Sequence, residues 1–230
     1  MSTIALRLAL AAVLLPLFAA AVAAAAELGF SRSLTPGLIV QRERQFGKGA
    51  RARLEGWQSF VREAAGQGEA PRQPGEDRLL RPVNRFFNRL PSVIDLAHWG
   101  VEDYWATPSE SLGSNGADCE DYAIAKYFTL KELGVPIARL RLVYAKTWQS
   151  REAHLVLAYY PDPRADPLIL DNLESSIRSA ADRPDLIPVY TFNDEDLWWP
   201  QDGAPTVRLG ATSNRKWKEV LEKLRLELTY

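Results

Sequence analysis

The sequence predicts an α+β fold, and three observations carry that prediction. Helical periodicity dominates residues 27–90. A single helix then starts near Cys119 and runs to Leu133. After it, strand-like segments follow one another without intervening helices, which is an α+β order and not an alternating βαβ order. Residues 54–65 place Leu54, Trp57, Val61 and Ala65 at helical spacing. Residues 79–90 do the same with Leu79, Val83, Phe86, Phe87 and Leu90. Between them, residues 66–75 read as a loop, because Gly and Pro break both periods. Pro91 and Ser92 end the second helix, and Ser92 is placed to cap a short helix reaching Trp99.

Residues 103–118, rich in Ser, Gly and Pro, read as a loop. The helix that follows is stopped by Gly134-Val135-Pro136. Residues 139–144 alternate polar and apolar side chains, as a half-buried strand does. Residues 154–160 are rich in β-formers, 168–171 form a short apolar run, and 187–192 supply a fourth strand. Ser213 or Asn214 caps a last helix to about Leu228, with Trp217, Val220, Leu221, Leu224 and Leu228 inward. There is no internal repeat, and residues 27–230 read as one domain whose 27–90 part is mainly helical.

Residues 1–26 carry one charge, Arg7, then an apolar run ending in four alanines before Glu27. A basic start, an apolar centre and small residues suited to cleavage describe a signal peptide, with an uncleaved membrane anchor as the alternative. The expectation is an exported, periplasmic protein that does not insert in the membrane after cleavage. Hydrophobic residues make up 47% of the chain and charged residues 25%, which excludes a largely disordered chain. A formal net charge of −1 argues against a dedicated nucleic-acid binder. One cysteine and two histidines rule out an internal disulfide and a four-ligand Cys/His zinc site.

Any cysteine nucleophile must therefore be Cys119. It sits at the predicted first turn of a helix, where free N–H groups and the helix dipole favour a thiolate. His154 begins the second strand and Asp171 ends the third, so neighbouring strands can bring their side chains together. Cys119, His154 and Asp171 in that order make one candidate triad, in which the carboxylate orients the imidazole. The alternative reading is a buried thiol acting as a small apolar residue. His98 is a competing base, although an amphipathic-helix histidine beside Trp99 also suits packing. Asp118, Glu120 and Asp121 flank the thiol. Asp118 is a good N-cap and Asp121 falls near a capping-box position. The same carboxylates, with backbone carbonyls of residues 114–116, also suit a hard cation such as Ca²⁺, which would offset their repulsion of a thiolate. The spacing is not that of an EF-hand loop.

The segment DYWATPSESLGSNGADCEDYAIAK at 103–126 resembles the nucleophile motif of the bacterial transglutaminase-like cysteine proteinases. Ala153-His154-Leu155-Val156-Leu157 and Leu170-Asp171-Asn172 fit the same family. The resemblance runs from about Val83 to about Pro200. It implies a transglutaminase-like, papain-like cysteine proteinase fold, with the nucleophile helix packed on an antiparallel sheet and 91–230 as the catalytic core. It implies Cys119 as nucleophile, His154 as base and acid, and Asp171 as orienting carboxylate. Asp118 and Glu120 would match calcium-binding positions, with Asp121 as a further partner. The implied substrate is the N-terminal region of a large surface adhesin, cut at an Ala-Ala site. The implied partner is the periplasmic domain of an inner-membrane cyclic di-GMP receptor. Two other functions stay open at this level. One is a protein-glutamine transferase on the same fold. The other is a non-catalytic periplasmic binding module using Trp198 and Trp199 as a partner surface.

Overall fold

The computed structural model describes residues 34–66, 77–148, 153–201, 204–210 and 214–230. The expected signal segment, nearly all of the 66–75 loop, and Ser213 lie outside the described residues. Helices α1 (Pro36–Phe46), α2 (Gly49–Gly66) and α3 (Asp77–Phe87) come first. Short helices α4 (Asp95–His98) and α5 (Pro108–Ser114) follow, then the long α6 (Cys119–Glu132). Strands β1 (Leu140–Thr147), β2 (Ala153–Tyr159), β3 (Leu168–Leu170), β4 (Arg178–Ser179), β5 (Leu186–Phe192), β6 (Leu197–Gln201) and β7 (Ala204–Gly210) come next. Helix α7 (Arg215–Glu227) closes the chain. The strands form one seven-stranded sheet in the order β4-β3-β2-β1-β5-β6-β7, with every neighbouring pair antiparallel.

Helix α6 is the centre of the molecule. Every residue from Asp121 to Leu130 is buried, so it is wrapped on all sides rather than lying on a surface. The sheet packs on one side of it through Leu140, Leu142, Leu155, Leu157 and Leu170. Leu38, Leu54, Trp57, Leu80, Val83 and Phe87 of the N-terminal helices belong to the same continuous core. Trp57 is fully buried and its indole N–H donates to Thr129 Oγ1 on α6 at 3.0 Å. Trp57→Ala removes both the packing and this bond. The expected cost is about 3–5 kcal/mol, read as a lower urea midpoint at unchanged slope. A loss under about 1 kcal/mol would show that the N-terminal helices add little to the core.

Several expectations change here. Residues 103–118 are not all loop: Pro108–Ser114 is a helix. Thr107 accepts from the Glu110 N–H at 3.2 Å and Glu110 accepts from the Thr107 N–H at 2.8 Å, a closed capping box with Pro108 in the first turn. Ser92 caps nothing. It makes an isolated parallel bridge to Ala117, and α4 starts after Ile94, which has no side-chain cap. Asn214 caps α7, accepting from the Trp217 N–H at 3.0 Å. On that helix Trp217, Val220 and Leu224 face inward, but Leu228 is exposed and Glu227 is buried in its place. The reason is a polar partner set. Glu227 Oε1 accepts from Arg42 Nη2 of α1 and from Thr107 Oγ1, both at 2.6 Å. Sulfur and carboxylate chemistry gathers at the end of the sheet where α6 begins.

Candidate active site

Asp118 is in extended conformation and its side chain accepts from the Asp121 N–H at 3.4 Å, which starts α6 at Cys119. The thiol of Cys119 donates to Glu120 Oε2 at 2.7 Å. The sulfur also accepts from the backbone N–H of Leu155, the residue after His154 on β2. Helix start and strand β2 thus meet at the sulfur. His154 is 4% exposed, and its Nε2 lies 2.9 Å from Asp171 Oδ1. Asp171 follows β3 directly and is 1% exposed.

The carboxylate of Asp171 is fully engaged. Oδ1 also accepts from the Leu173 N–H at 3.0 Å, and Oδ2 accepts from Arg183 Nη2 at 2.8 Å. Its backbone carbonyl accepts from Asn88 Nδ2 at 2.8 Å, which ties the β3 end to the chain just past α3. Burial alone would raise this group. The hydrogen bond and charge of His154, the Leu173 N–H and Arg183 outweigh it, and hold the carboxyl well below the usual range. Asp171 therefore stays ionised as the partner of the imidazole. Lys126, on α6 and fully buried, has a Nζ without a hydrogen-bond partner among the described residues. Burial lowers its pKa to about 7, against the opposing pull of Asp171. Arg183 and Lys126 are the two site-linked cations that spacing did not reveal. Lys126 lies within the motif, but nothing in its spacing marks it as buried beside the site.

The thiol stands in the opposite situation. Burial pushes it far up, and the negative charge and hydrogen bond of Glu120 push further, against the Leu155 N–H. The charge that adds to burial comes from an acidic group next to it. Carboxylate oxygens of Asp95, Asp118 and Glu120 all lie within 4.8 Å of one another. Burial raises all three; Asp118 reaches about 8, with Glu120 and Asp95 adding to the effect. Asp121 is in the neighbourhood but outside this grouping. It is fully buried and its Oδ1 accepts from the Ala106 N–H at 2.7 Å. Asp95 is the member the sequence reading missed. It sits on the four-residue α4, more than twenty positions before Cys119, and no spacing rule links the two.

The residues fit a hard divalent cation. The donors are all carboxylate oxygens, and Asp95 Oδ1 is buried without a hydrogen-bond partner, although Oδ2 accepts from the Tyr104 N–H at 2.5 Å. The segment 114–116 ends α5, with Asn115 left-handed at φ 61°. His98 lies on the same short helix as Asp95. Its ring packs edge-on to Trp99 at 4.8 Å, and a side chain at Gly116 would collide with it at 2.8 Å. That placement is packing against the loop before Asp118. A Cβ at Gly116 would also meet Val93 Cγ1 at 2.9 Å, so the space there suits glycine.

A pH effect follows from Asp118. In the metal-free folded state its pKa is about 8, against about 3.9 when unfolded. The folded state therefore holds a proton that the unfolded chain releases between those values, and stability falls as pH rises through that window. The melting temperature of metal-free protein is expected to drop from pH 5 to pH 8, and excess calcium is expected to remove the drop. Equal melting curves at both pH values without metal would contradict this.

A helix-borne cysteine packed on an antiparallel sheet, beside a buried His–carboxylate pair, defines a transglutaminase-like cysteine proteinase fold. The model for bacterial transglutaminase-like cysteine proteinases (BTLCP) matches residues 61–194, and the chain belongs to that family. Among solved structures it is similar to Legionella pneumophila LapG. The EGTA-treated form is 36% identical with a TM-score of 0.67, covering 81% of this chain and 95% of that one. The calcium-bound form is 37% identical with a TM-score of 0.66, covering 81% and 97%. No curated protein matches the sequence.

Proposed function

We propose that this protein is a calcium-dependent periplasmic cysteine endopeptidase. It cuts the N-terminal region of a large surface adhesin at an Ala-Ala site and so releases the adhesin and promotes biofilm dispersal. An inner-membrane cyclic di-GMP receptor restrains it through its periplasmic domain. The observation that carries the reading is the buried His154–Asp171 pair at 2.9 Å, one residue from the strand N–H that touches the Cys119 sulfur. Family membership and the calcium-bound LapG relative support it. Among the described residues no helix is long and apolar enough to cross a membrane. The apolar, alanine-ended segment at 1–26 supports export.

In this mechanism Asp171 holds the imidazole through Nε2, which leaves Nδ1 for proton exchange with the sulfur. The Cys119 thiolate attacks the peptide carbonyl carbon. Backbone N–H groups at the start of α6, that of Cys119 included, face the developing oxyanion. The protonated His154 gives its proton to the leaving amine, and the acyl group stays on sulfur. Water, deprotonated by His154, then breaks the thioester and frees the second product. Asp95, Asp118 and Glu120 would hold calcium. Bound there, it supplies positive charge that offsets three carboxylates beside the thiol.

The test is cleavage of an Ala-Ala-containing adhesin N-terminal fragment by residues 27–230, in calcium or in EGTA, with Cys119→Ala as control. Cleavage in calcium only, lost in the variant, is the expected result. Product mass decides between hydrolysis, which adds water, and amine transfer, which expels ammonia. No cleavage together with a thiol inert to alkylation in calcium would overturn the enzyme reading in favour of a binding module.

A further inference from the structure

The face of the sheet that carries α6 also carries a row of aromatic rings. Tyr144 on β1 and Tyr190 on β5 are opposite residues and stack at 5.0 Å with an interplanar angle of 9°. Tyr190 stacks in turn on Trp199 of β6 at 6.3 Å and 16°. The row thus crosses three adjacent strands at right angles to them. Its inner end is at the candidate nucleophile. Tyr144 is the cross-strand partner of Leu155, whose N–H bonds the Cys119 sulfur. Its outer end is open. Trp199 is 48% exposed, and Val207, its partner on β7, and Leu209 beyond it are exposed too.

One step further along β5, Phe192 is fully buried under Trp217 of α7. Tyr190 escapes that cover because α7 begins there. The α7 cap Asn214 donates to the Tyr190 hydroxyl at 3.2 Å. On the same side, Lys216 Nζ pairs with Asp103 Oδ2 at 3.2 Å. The helices α6 and α7 therefore start at this end of the sheet, and between them Tyr144 and Tyr190 stay half-buried and Trp199 is exposed. Exposed large rings are costly in water unless something packs on them. Here they are held rigid by mutual stacking, so little side-chain entropy is lost when they are covered.

We propose that Tyr144, Tyr190 and Trp199 form a substrate subsite. It holds an extended, small-side-chain segment of the substrate polypeptide next to the bond that Cys119 attacks. The proposal rests on the endopeptidase reading above. Continuity with the sulfur selects the occupant. A polypeptide whose carbonyl reaches Cys119 passes the Tyr144–Leu155 position, and the row continues outward from that point. Small side chains let its backbone lie against the rims of the rings, and the Tyr190 hydroxyl with Asn214 offers the polar contact.

The experiment measures cleavage and binding of the adhesin N-terminal fragment in calcium. Trp199→Ala is expected to raise KM about tenfold with kcat changed by less than about twofold, because the contact is made equally before and during reaction. In the Cys119→Ala background, Trp199→Ala is expected to weaken fragment binding by the same factor. Tyr190→Phe keeps the stack and tests the hydroxyl alone, with an expected smaller rise. Trp148→Ala, another exposed tryptophan just after β1 and outside the stacked row, is the control and should leave KM unchanged. The rate of Cys119 alkylation should be equal in all the variants that retain the thiol. If wild type cleaves and Trp199→Ala keeps its KM and binding, the subsite is wrong while the endopeptidase reading stands. If wild type does not cleave the fragment, that reading falls and the subsite with it.

Discussion

Asp171→Asn is expected to lower kcat for fragment cleavage by about 10³- to 10⁴-fold while the protein stays folded. The geometry shows why the loss should be large. His154 Nε2 sits 2.9 Å from Asp171 Oδ1, and the same oxygen is already fixed by the Leu173 N–H at 3.0 Å. An amide can offer the imidazole its oxygen but not a negative charge, so the imidazolium formed when Cys119 ionises loses its counter-ion. If the amide turns its NH₂ toward the ring, it forces the wrong tautomer, in which Nδ1 already carries a proton and cannot accept the one the sulfur must give up. Arg183 is left with one fewer anion, but it keeps Asp185 at 2.7 Å, which limits the structural cost. Steady-state kinetics with a circular-dichroism check measures the effect. A variant within tenfold of wild type would remove Asp171 from the positioning role.

The segments legible in the sequence are those where one local signal and one tertiary role agree. Asp118 as cap and Gly134-Val135-Pro136 as stop bound α6 within a residue of its place. Strands β1 and β2 announce themselves because they pair with each other over seven residues and fill a core. The α5 helix was hidden in a Ser/Gly/Pro-rich stretch. Its sign was the Thr107-Pro108-Ser109-Glu110 capping box, which composition outweighed. Strands β6 and β7 carry Pro200 and Pro205, residues that argue against a strand; Pro200 falls at an irregularity in the β6–β7 pairing and β7 is the edge strand, where such residues are tolerated.

The site divides along the same line. The His154–Asp171 pair could be anticipated because each residue stands at the end of an element visible in the sequence, as Cys119 does at the start of α6. Asp95 could not, because it reaches the acidic group through a tertiary bond: its Oδ2 is anchored by the Tyr104 N–H, in the segment leading into α5. Asp121 has the right spacing to join Asp118 and Glu120. The helical turn instead aims its Oδ1 at the Ala106 N–H. Spacing on one helix says which residues are near, whereas the donor each carboxylate already serves fixes where its other oxygen points, toward the shared acidic group for Asp95 and outside it for Asp121.

That difference sets the second large effect. Asp95→Ala is expected to weaken calcium binding by about 100-fold or more, because it removes one of three carboxylates that share the site. Asp121→Asn is expected to weaken it far less, since the amide oxygen can still accept from Ala106. Isothermal titration with calcium reads both directly. The thiol supplies an independent readout. Without metal, Cys119 is held protonated by burial and by Glu120, to which it donates at 2.7 Å. Alkylation at neutral pH should therefore be faster in calcium than in EGTA for wild type, and Asp95→Ala should need correspondingly more calcium for the same rate. Metal-free stability should move the other way. Asp95 is one of the groups that raise Asp118, so Asp95→Asn, which keeps an oxygen for the Tyr104 N–H, relieves repulsion without breaking that bond, and this metal-free variant should melt higher than metal-free wild type at pH 8. A ligand lost and a repulsion lost thus act with opposite signs. A residue that merely supported the fold would lower both calcium affinity and metal-free stability, and that result would take Asp95 out of the cation site.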